Sequence, residues 1–196
     1  MPALLTTVAE EQVPANRHPK RSRVTSLIIT DPPIHDRFVT CVPFYELKAG
    51  AGDFGPEQPG VDPADHTTWI QVRGRRLTRD IFVIQVTGRS MEPKIPDGSY
   101  CLFRGGEALA GMRQGRIMLI ALKDSVDPET GGRLTAKRYE SEEVFGEDGE
   151  FRHLRIRLLS LNPDYRPIVL DNADEDTLKP LGEFVAAVEP LPQGFR

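Results

Sequence analysis

From Trp69 to the C-terminus, short segments rich in β-branched and aromatic residues are bounded by Gly, Pro or Asp. In chain order they are WIQVR, DIFVIQVT, SYCLFR, RIMLIAL, RLTAKRY, LRIRLLSL, RPIVL and EFVAAVEPL. The turn signals PDG, TGG, EDG and NPD fall between them. With 17 Gly and 17 Pro in 196 residues, many turns and short strands are favoured over long helices. The pattern predicts a mostly β domain over about residues 69–196.

The chain before this domain shows little hydrophobic periodicity. Residues 1–41 are predicted to be a flexible arm with one strand at SLIIT. A helix-turn-helix domain is not predicted there, because the segment lacks a pair of amphipathic helices. Residues 42–68 begin apolar and then become rich in Gly, Pro and Asp. A loop of this length within a small protein is usually functional or disordered.

Charge and composition narrow the class of protein. The net charge of −4 does not favour nucleic-acid binding overall, but Arg17–Arg23 (RHPKRSR) is basic and is either a solvated tail or a phosphate-contacting arm. Two cysteines without a C-x-x-C motif and four scattered histidines predict no metal site, and no cofactor is expected. The longest apolar run, IMLIAL, is too short to span a bilayer, and the N-terminus lacks signal-peptide features. A cytoplasmic protein without membrane contact is predicted.

Ser90 stands in a rigid frame, TGRSMEPKIPDG. It follows an apolar strand and Gly88, while Pro93 and Pro96 prevent a long helix beyond it. A turn of this kind can direct backbone N–H groups at one point, as an oxyanion hole requires. The ordinary alternative is a serine that satisfies a backbone group of the turn.

Lys137 lies inside the predicted strand RLTAKRY, where alternation places Thr135, Lys137 and Tyr139 on one face. A lysine in a strand is usually exposed at a sheet edge. If it is buried beside Ser90, its neutral amine can accept the serine proton, as in a Ser-Lys dyad. A Ser-His-Asp triad is disfavoured because no G-x-S-x-G motif or recognisable histidine accompanies the serine.

Four segments in the same order resemble the LexA/UmuD-type serine peptidases. GRSMEPKIPDGSYCLF is similar to their nucleophile segment and LTAKRY to their lysine strand, while LLSLNPDYRPIVLD and GEFVAAVEP are similar to the stretches that follow. The resemblance covers about residues 42–190 and implies a compact, strongly bent, LexA-like β fold. It implies Ser90 as nucleophile and Lys137 as general base. Backbone N–H groups of Arg89 and Ser90 would stabilise the oxyanion, and Thr135 would support the lysine amine.

The family's self-cleavage at a small-residue bond implies a scissile site upstream of the serine. ELKAGAGDF contains two Ala-Gly bonds, Ala49-Gly50 and Ala51-Gly52. The spacing of Ala51-Gly52 from Val42-Pro43 more closely resembles that of the family, so the resemblance implies Ala51-Gly52, with Ala49-Gly50 as the alternative. Small residues suit a tight cleft, although AGAG is also typical of a flexible linker.

The resemblance further implies a homodimer and a regulated switch in stress, repair or defence, such as the SOS response to DNA damage. In the best-known relatives a recombinase filament on single-stranded DNA triggers cleavage. Two insertions depart from the family pattern, KDSVDPETGGR (Lys123 to Arg133) and EVFGEDGEFRH. The alternative function is a non-cleaving module for dimerisation and partner docking. A type I signal peptidase is disfavoured because no membrane anchor is predicted.

Overall fold

The structure is a computed structural model that describes residues 25–45, 68–106, 109, 113–123, 125–145, 151–171 and 177–190. Within these ranges the chain forms ten strands and no α-helix, which confirms the predicted mostly β fold. The strands are β1 (Thr25–Thr30), β2 (Cys41–Tyr45), β3 (Thr68–Val72), β4 (Ile81–Val86), β5 (Ser99–Arg104), β6 (Ile117–Leu122), β7 (Leu134–Phe145), β8 (Phe151–Leu159), β9 (Ile168–Asp171) and β10 (Leu178–Pro190).

All ten strands belong to one mixed sheet with the order β1-β3-β2-β4-β5-β10-β6-β7-β8-β9. A parallel pairing of β1 with β10 also closes the first six strands of this order into a ring. β10 pairs with β6 along its first half and with β5 along its second half, with irregularities at Pro180/Gly182 and Phe184/Ala186. Such irregularities bend a strand, so β10 turns the sheet from the ring into the β6–β9 extension.

Uninterrupted apolar segments form the centre of the sheet. The first four residues of β4 and of β6 are all buried, as expected for strands covered on both faces. Gly182 allows β10 to approach this core, because a Cβ atom there would lie 2.9 Å from the side chains of both Phe82 and Phe103. The close approach keeps β10 between β5 and β6.

The sheet begins earlier in the chain than residue 69. β1 pairs with β3 from Ser26 to Thr30, and β2 pairs with both β3 and β4, so residues from the segments predicted as arm and loop take part in the sheet. These pairings are long-range, and a local pattern does not reveal them. Residues 1–24 of the arm, which include the basic run, and both Ala-Gly bonds lie outside the described residues. The proposed domain boundaries stay a prediction.

Candidate active site

The turn that carries Ser90 is held in place by buried apolar side chains and by backbone hydrogen bonds. It leaves the end of β4 through Gly88, whose φ of 98° is unfavourable for other residues and whose N–H donates to the Asp97 carboxylate at 2.7 Å. Met91 and Ile95, next along the turn, are buried in the core, and Ile95 N–H donates to the Met91 carbonyl at 3.0 Å. The frame of the turn therefore fixes the backbone on both sides of Ser90.

A second segment, the loop after β8, holds the carbonyl groups of the same turn. The backbone N–H groups of Leu161 and Asn162 both donate to the Ser90 carbonyl at 2.9 Å. The Asn162 side-chain amide donates to the Arg89 carbonyl at 3.2 Å. These bonds fix the orientation of the peptide groups at Arg89 and Ser90.

β7 brings Lys137 to Ser90. The Lys137 Nζ atom donates a hydrogen bond to Ser90 Oγ at 2.7 Å, across 47 positions of sequence. Both residues are buried, with 3% and 5% of their surfaces exposed. Pairing of β7 with β6 places Lys137 opposite Met118, in the centre of the sheet rather than at an edge. A lysine that is this buried requires polar partners.

Asp127 is the charged partner of Lys137. It lies in the hairpin loop between β6 and β7, is buried, and its Oδ2 atom accepts hydrogen bonds from Lys137 Nζ at 2.9 Å and from the Thr135 hydroxyl. Its Oδ1 atom accepts the backbone N–H of Glu129 at 2.8 Å. Burial acts to raise the pKa of Asp127, but the hydrogen bonds from Thr135 and Lys137 and the charge of Lys137 hold it below its ordinary value.

Glu129, two residues further along the same loop, contacts the Ser90 turn. Its carboxylate accepts a short hydrogen bond from the Arg89 N–H and a second, at 3.3 Å, from the Ser90 N–H. A Cβ atom on Gly88 would lie 2.7–2.8 Å from the carboxylate carbon and both of its oxygens. The carboxylate therefore lies where the missing side chain of Gly88 leaves room for it.

Ser90, Lys137, Asp127 and Glu129 line one small cavity of about 50 Å³. Its other walls include apolar side chains of β4, β6 and β7. Among the described residues, no group of three or more His, Cys, Asp or Glu side chains could hold a metal ion. No helix in the described part of the chain is long and apolar enough to cross a bilayer.

A family model for Peptidase S24-like proteins matches residues 43–185. This match contains Ser90, Lys137 and the strands that bring them together. The chain belongs to the Peptidase S24-like family. The resemblance to LexA/UmuD-type peptidases is thereby confirmed, and the S24-like family supports a peptidase-type fold. No curated protein gives a significant match.

The structure brings Arg89, Ser90, Thr135 and Lys137 into one cluster, whereas the proposed scissile residues lie outside the described part of the chain. Thr135 was predicted to support the lysine amine, but it does not contact the amine directly. Its hydroxyl donates to the Asp127 carboxylate, and the same carboxylate accepts from Lys137, so the support is indirect. Sequence reasoning missed Asp127 and Glu129 because they lie in the insertion 123–133, which was noted only as a longer hairpin. The sequence offers only a conditional signal: if Lys137 is buried, it needs a counter-charge, and the loop before its strand contains acidic residues.

Proposed function

We propose that this S24-like chain is an autopeptidase that uses a Ser90–Lys137 dyad to cleave its own Ala51-Gly52 bond. The observation that carries the proposal is the 2.7 Å contact between Lys137 Nζ and Ser90 Oγ in a buried site. A serine hydroxyl is a weak nucleophile unless a base removes its proton. A lysine at hydrogen-bond distance is positioned to do so once its amine is neutral.

Cleavage would proceed in two steps through an acyl-enzyme. Neutral Lys137 accepts the Ser90 proton while Oγ bonds to the scissile carbonyl carbon, and the N–H groups of Arg89 and Ser90 stabilise the negative oxygen. The carbon–nitrogen bond then breaks, and Lys137 returns the proton to the departing amine. A water molecule hydrolyses the ester by the same route, and Ser90 is regenerated.

Strand register supports the choice of scissile bond. β2 runs parallel to β4 and pairs Tyr45 with Ile84, while β4 leads directly into the Ser90 turn. Ala51 lies as many residues beyond Tyr45 as Ser90 lies beyond Ile84. We propose that the chain after β2 passes beside the end of β4 when it docks, which brings Ala51 to the Ser90 turn. The small cavity beside the serine favours an alanine at this position.

The cellular setting belongs to the same proposal and rests on the family resemblance. We propose a cytoplasmic homodimer whose cleavage is a regulated switch in stress, repair or defence. The trigger would be a protein, such as a recombinase filament on single-stranded DNA. Whether Arg17–Arg23 contacts nucleic acid directly is a separate question, which salt-dependent binding to DNA would test.

The second candidate is a module that keeps the fold for dimerisation and partner docking but does not cleave. The observation that favours it is that both N–H groups needed for the oxyanion already donate to Glu129. A site that remained closed in this way would not turn over.

The two candidates separate in one experiment on purified protein. Wild type and Ser90→Ala are incubated side by side at about pH 10, where an ordinary lysine amine is neutral in a substantial fraction of molecules, and intact masses are followed over time. The autopeptidase predicts two fragments divided after Ala51 in the wild type only. Fragments divided after Ala49 would move the scissile bond, and fragments from Ser90→Ala would refute the nucleophile assignment. An uncut wild type leaves two explanations, a missing trigger or the docking module, and calls for a search for the partner.

A further inference from the structure

Glu129 occupies the position at which the reaction needs a negative oxygen. Its carboxylate accepts from Arg89 N–H and Ser90 N–H, the two donors assigned above to the oxyanion. In an acyl-transfer reaction such donors face a carbonyl oxygen that becomes negative in the transition state. A carboxylate carries this charge permanently, so it resembles the charged state more closely than a substrate carbonyl does.

The site is built to hold this carboxylate. Gly88 provides the space, and a side chain there would collide with the carboxylate group. Tyr165, in the loop after β8, senses the same carboxylate: partial desolvation raises the pKa of its phenol, and the charge of Glu129 raises it further. The Arg89–Ser90 turn thus supplies both donors, and Gly88 in the same turn leaves the room for the acidic side chain.

The loop that carries Glu129 is connected to the lysine. Asp127 accepts the backbone N–H groups of Glu129 and Thr130 with one carboxylate oxygen, and the Lys137 ammonium with the other. The loop is also closed by backbone bonds between Asp127 and Gly132 and between Gly131 and Asp127, both at 2.8 Å. The position of Glu129 is therefore fixed relative to Ser90 and Lys137.

We infer that Glu129 is an inhibitory side chain, which fills the oxyanion site of the resting protein and must leave before a scissile carbonyl can bind there. This inference rests on the proposed function, since it describes how the same site is kept inactive. A neutral carbonyl competes poorly with a carboxylate, because hydrogen bonds to a charged acceptor are roughly twice as strong. Docking of the segment that contains the Ala51-Gly52 bond does not by itself displace Glu129 easily. Uncut protein therefore accumulates until the loop that carries Glu129 moves.

The alternative is that Glu129 only stabilises the turn. Carboxylates commonly accept backbone N–H groups in turns without any effect on chemistry. The two explanations predict opposite effects on the reactivity of Ser90. An inhibitory side chain predicts a more reactive serine when it is removed, whereas a structural one predicts an equally or less reactive serine.

The test compares wild type, Glu129→Ala, and Glu142→Ala as a matched control. Glu142 lies on β7, is about half exposed, and contacts Arg157 at 3.4 Å at the surface. Ser90 is labelled with an aryl phosphonyl fluoride: Oγ bonds to phosphorus, fluoride leaves, and Lys137 takes up the hydroxyl proton. The oxygen double-bonded to phosphorus requires the oxyanion donors. The rate of adduct formation is measured from intact masses. The double variant Ser90→Ala/Glu129→Ala shows how much labelling occurs at other residues. Self-cleavage of each protein is followed in parallel.

Glu129→Ala is expected to react at least about tenfold faster than wild type and Glu142→Ala, since it removes a charge-assisted contact from the donors. Faster labelling without self-cleavage in any variant would support the inhibitory role and refute self-cleavage. Labelling of Glu129→Ala at a rate equal to or below that of wild type would overturn the inhibitory role. The absence of labelling at Ser90 in both wild type and Glu129→Ala would also overturn it. As a check on folding and contact, the Arg89 and Ser90 amide proton resonances should shift upfield in Glu129→Ala and Glu129→Gln. Unchanged resonances would show that the contact is absent in solution.

Discussion

Lys137 and Asp127 form an ion pair in which both side chains are almost completely buried. The Lys137 Nζ atom lies 2.9 Å from Asp127 Oδ2, and the two side chains are only 4% and 3% exposed. The desolvation of two charges is costly, and removal of one partner leaves the other charge buried without compensation. The pair therefore joins the stability of the fold to the chemistry of Ser90, which contacts the same Nζ atom.

The first prediction concerns the energetic coupling of this pair. Asp127→Asn and Lys137→Met are each expected to lower the free energy of unfolding by about 3 kcal/mol, because each leaves one buried charge unpaired. The double variant is expected to lose clearly less than the sum, since neither charge remains. Urea unfolding at neutral pH measures the free energy of unfolding of wild type, the two single variants and the double variant.

The control for this double-mutant cycle is the ion pair of Arg155 and Asp171, whose side chains are 48% and 60% exposed. Removing either of these charges should leave the stability nearly unchanged, because solvent screens an exposed pair. Strictly additive losses at Asp127 and Lys137 would contradict the coupling.

The second prediction concerns acid. The pKa of Asp127 is lower in the folded protein than its ordinary value, so the unfolded chain takes up a proton there first as the pH falls. The stabilisation from Asp127 is complete above the unfolded value of about 3.9 and is lost as the pH falls through the lower folded value. The difference in unfolding free energy between wild type and Asp127→Asn should therefore shrink towards about pH 2. A difference that stays constant over this range would contradict the assignment.

The third prediction concerns the pH dependence of self-cleavage. Only a neutral Lys137 can accept the proton of Ser90, so the cleavage rate should increase from about pH 6 to about pH 10. The rate is measured from intact masses at each pH, and circular dichroism confirms that the protein stays folded. A flat profile would show that lysine is not the base.

The fourth prediction separates the charge of Lys137 from its ability to lose a proton. Lys137→Arg keeps a positive charge that can contact Asp127, but a guanidinium does not deprotonate at any accessible pH. It is expected to retain more stability than Lys137→Met and yet to show no self-cleavage even at about pH 10. Cleavage by Lys137→Arg, detected by mass spectrometry, would rule out the proposed base.

Local patterns predicted much of the fold. The strands from Trp69 onward are short apolar segments between turn residues, and the structure contains a strand at each of them. Ser90 and Lys137 were also recognisable, because Pro and Gly frame the serine and both residues lie in segments that resemble the family's nucleophile and lysine segments. These features depend on neighbouring residues, so the sequence by itself contains them.

The roles of Asp127 and Glu129 were decided by the tertiary structure alone. In the sequence they are acidic residues of a Pro- and Gly-containing loop, a composition typical of a solvated turn. Pairing of β6 with β7 returns this loop over the Ser90 turn, where one carboxylate meets a buried ammonium and the other meets two backbone N–H groups. In the same way β1 and β2 join the sheet through partners far away in the chain. The sequence determined which segments form strands and which residues could react, whereas long-range pairing decided which charges surround them.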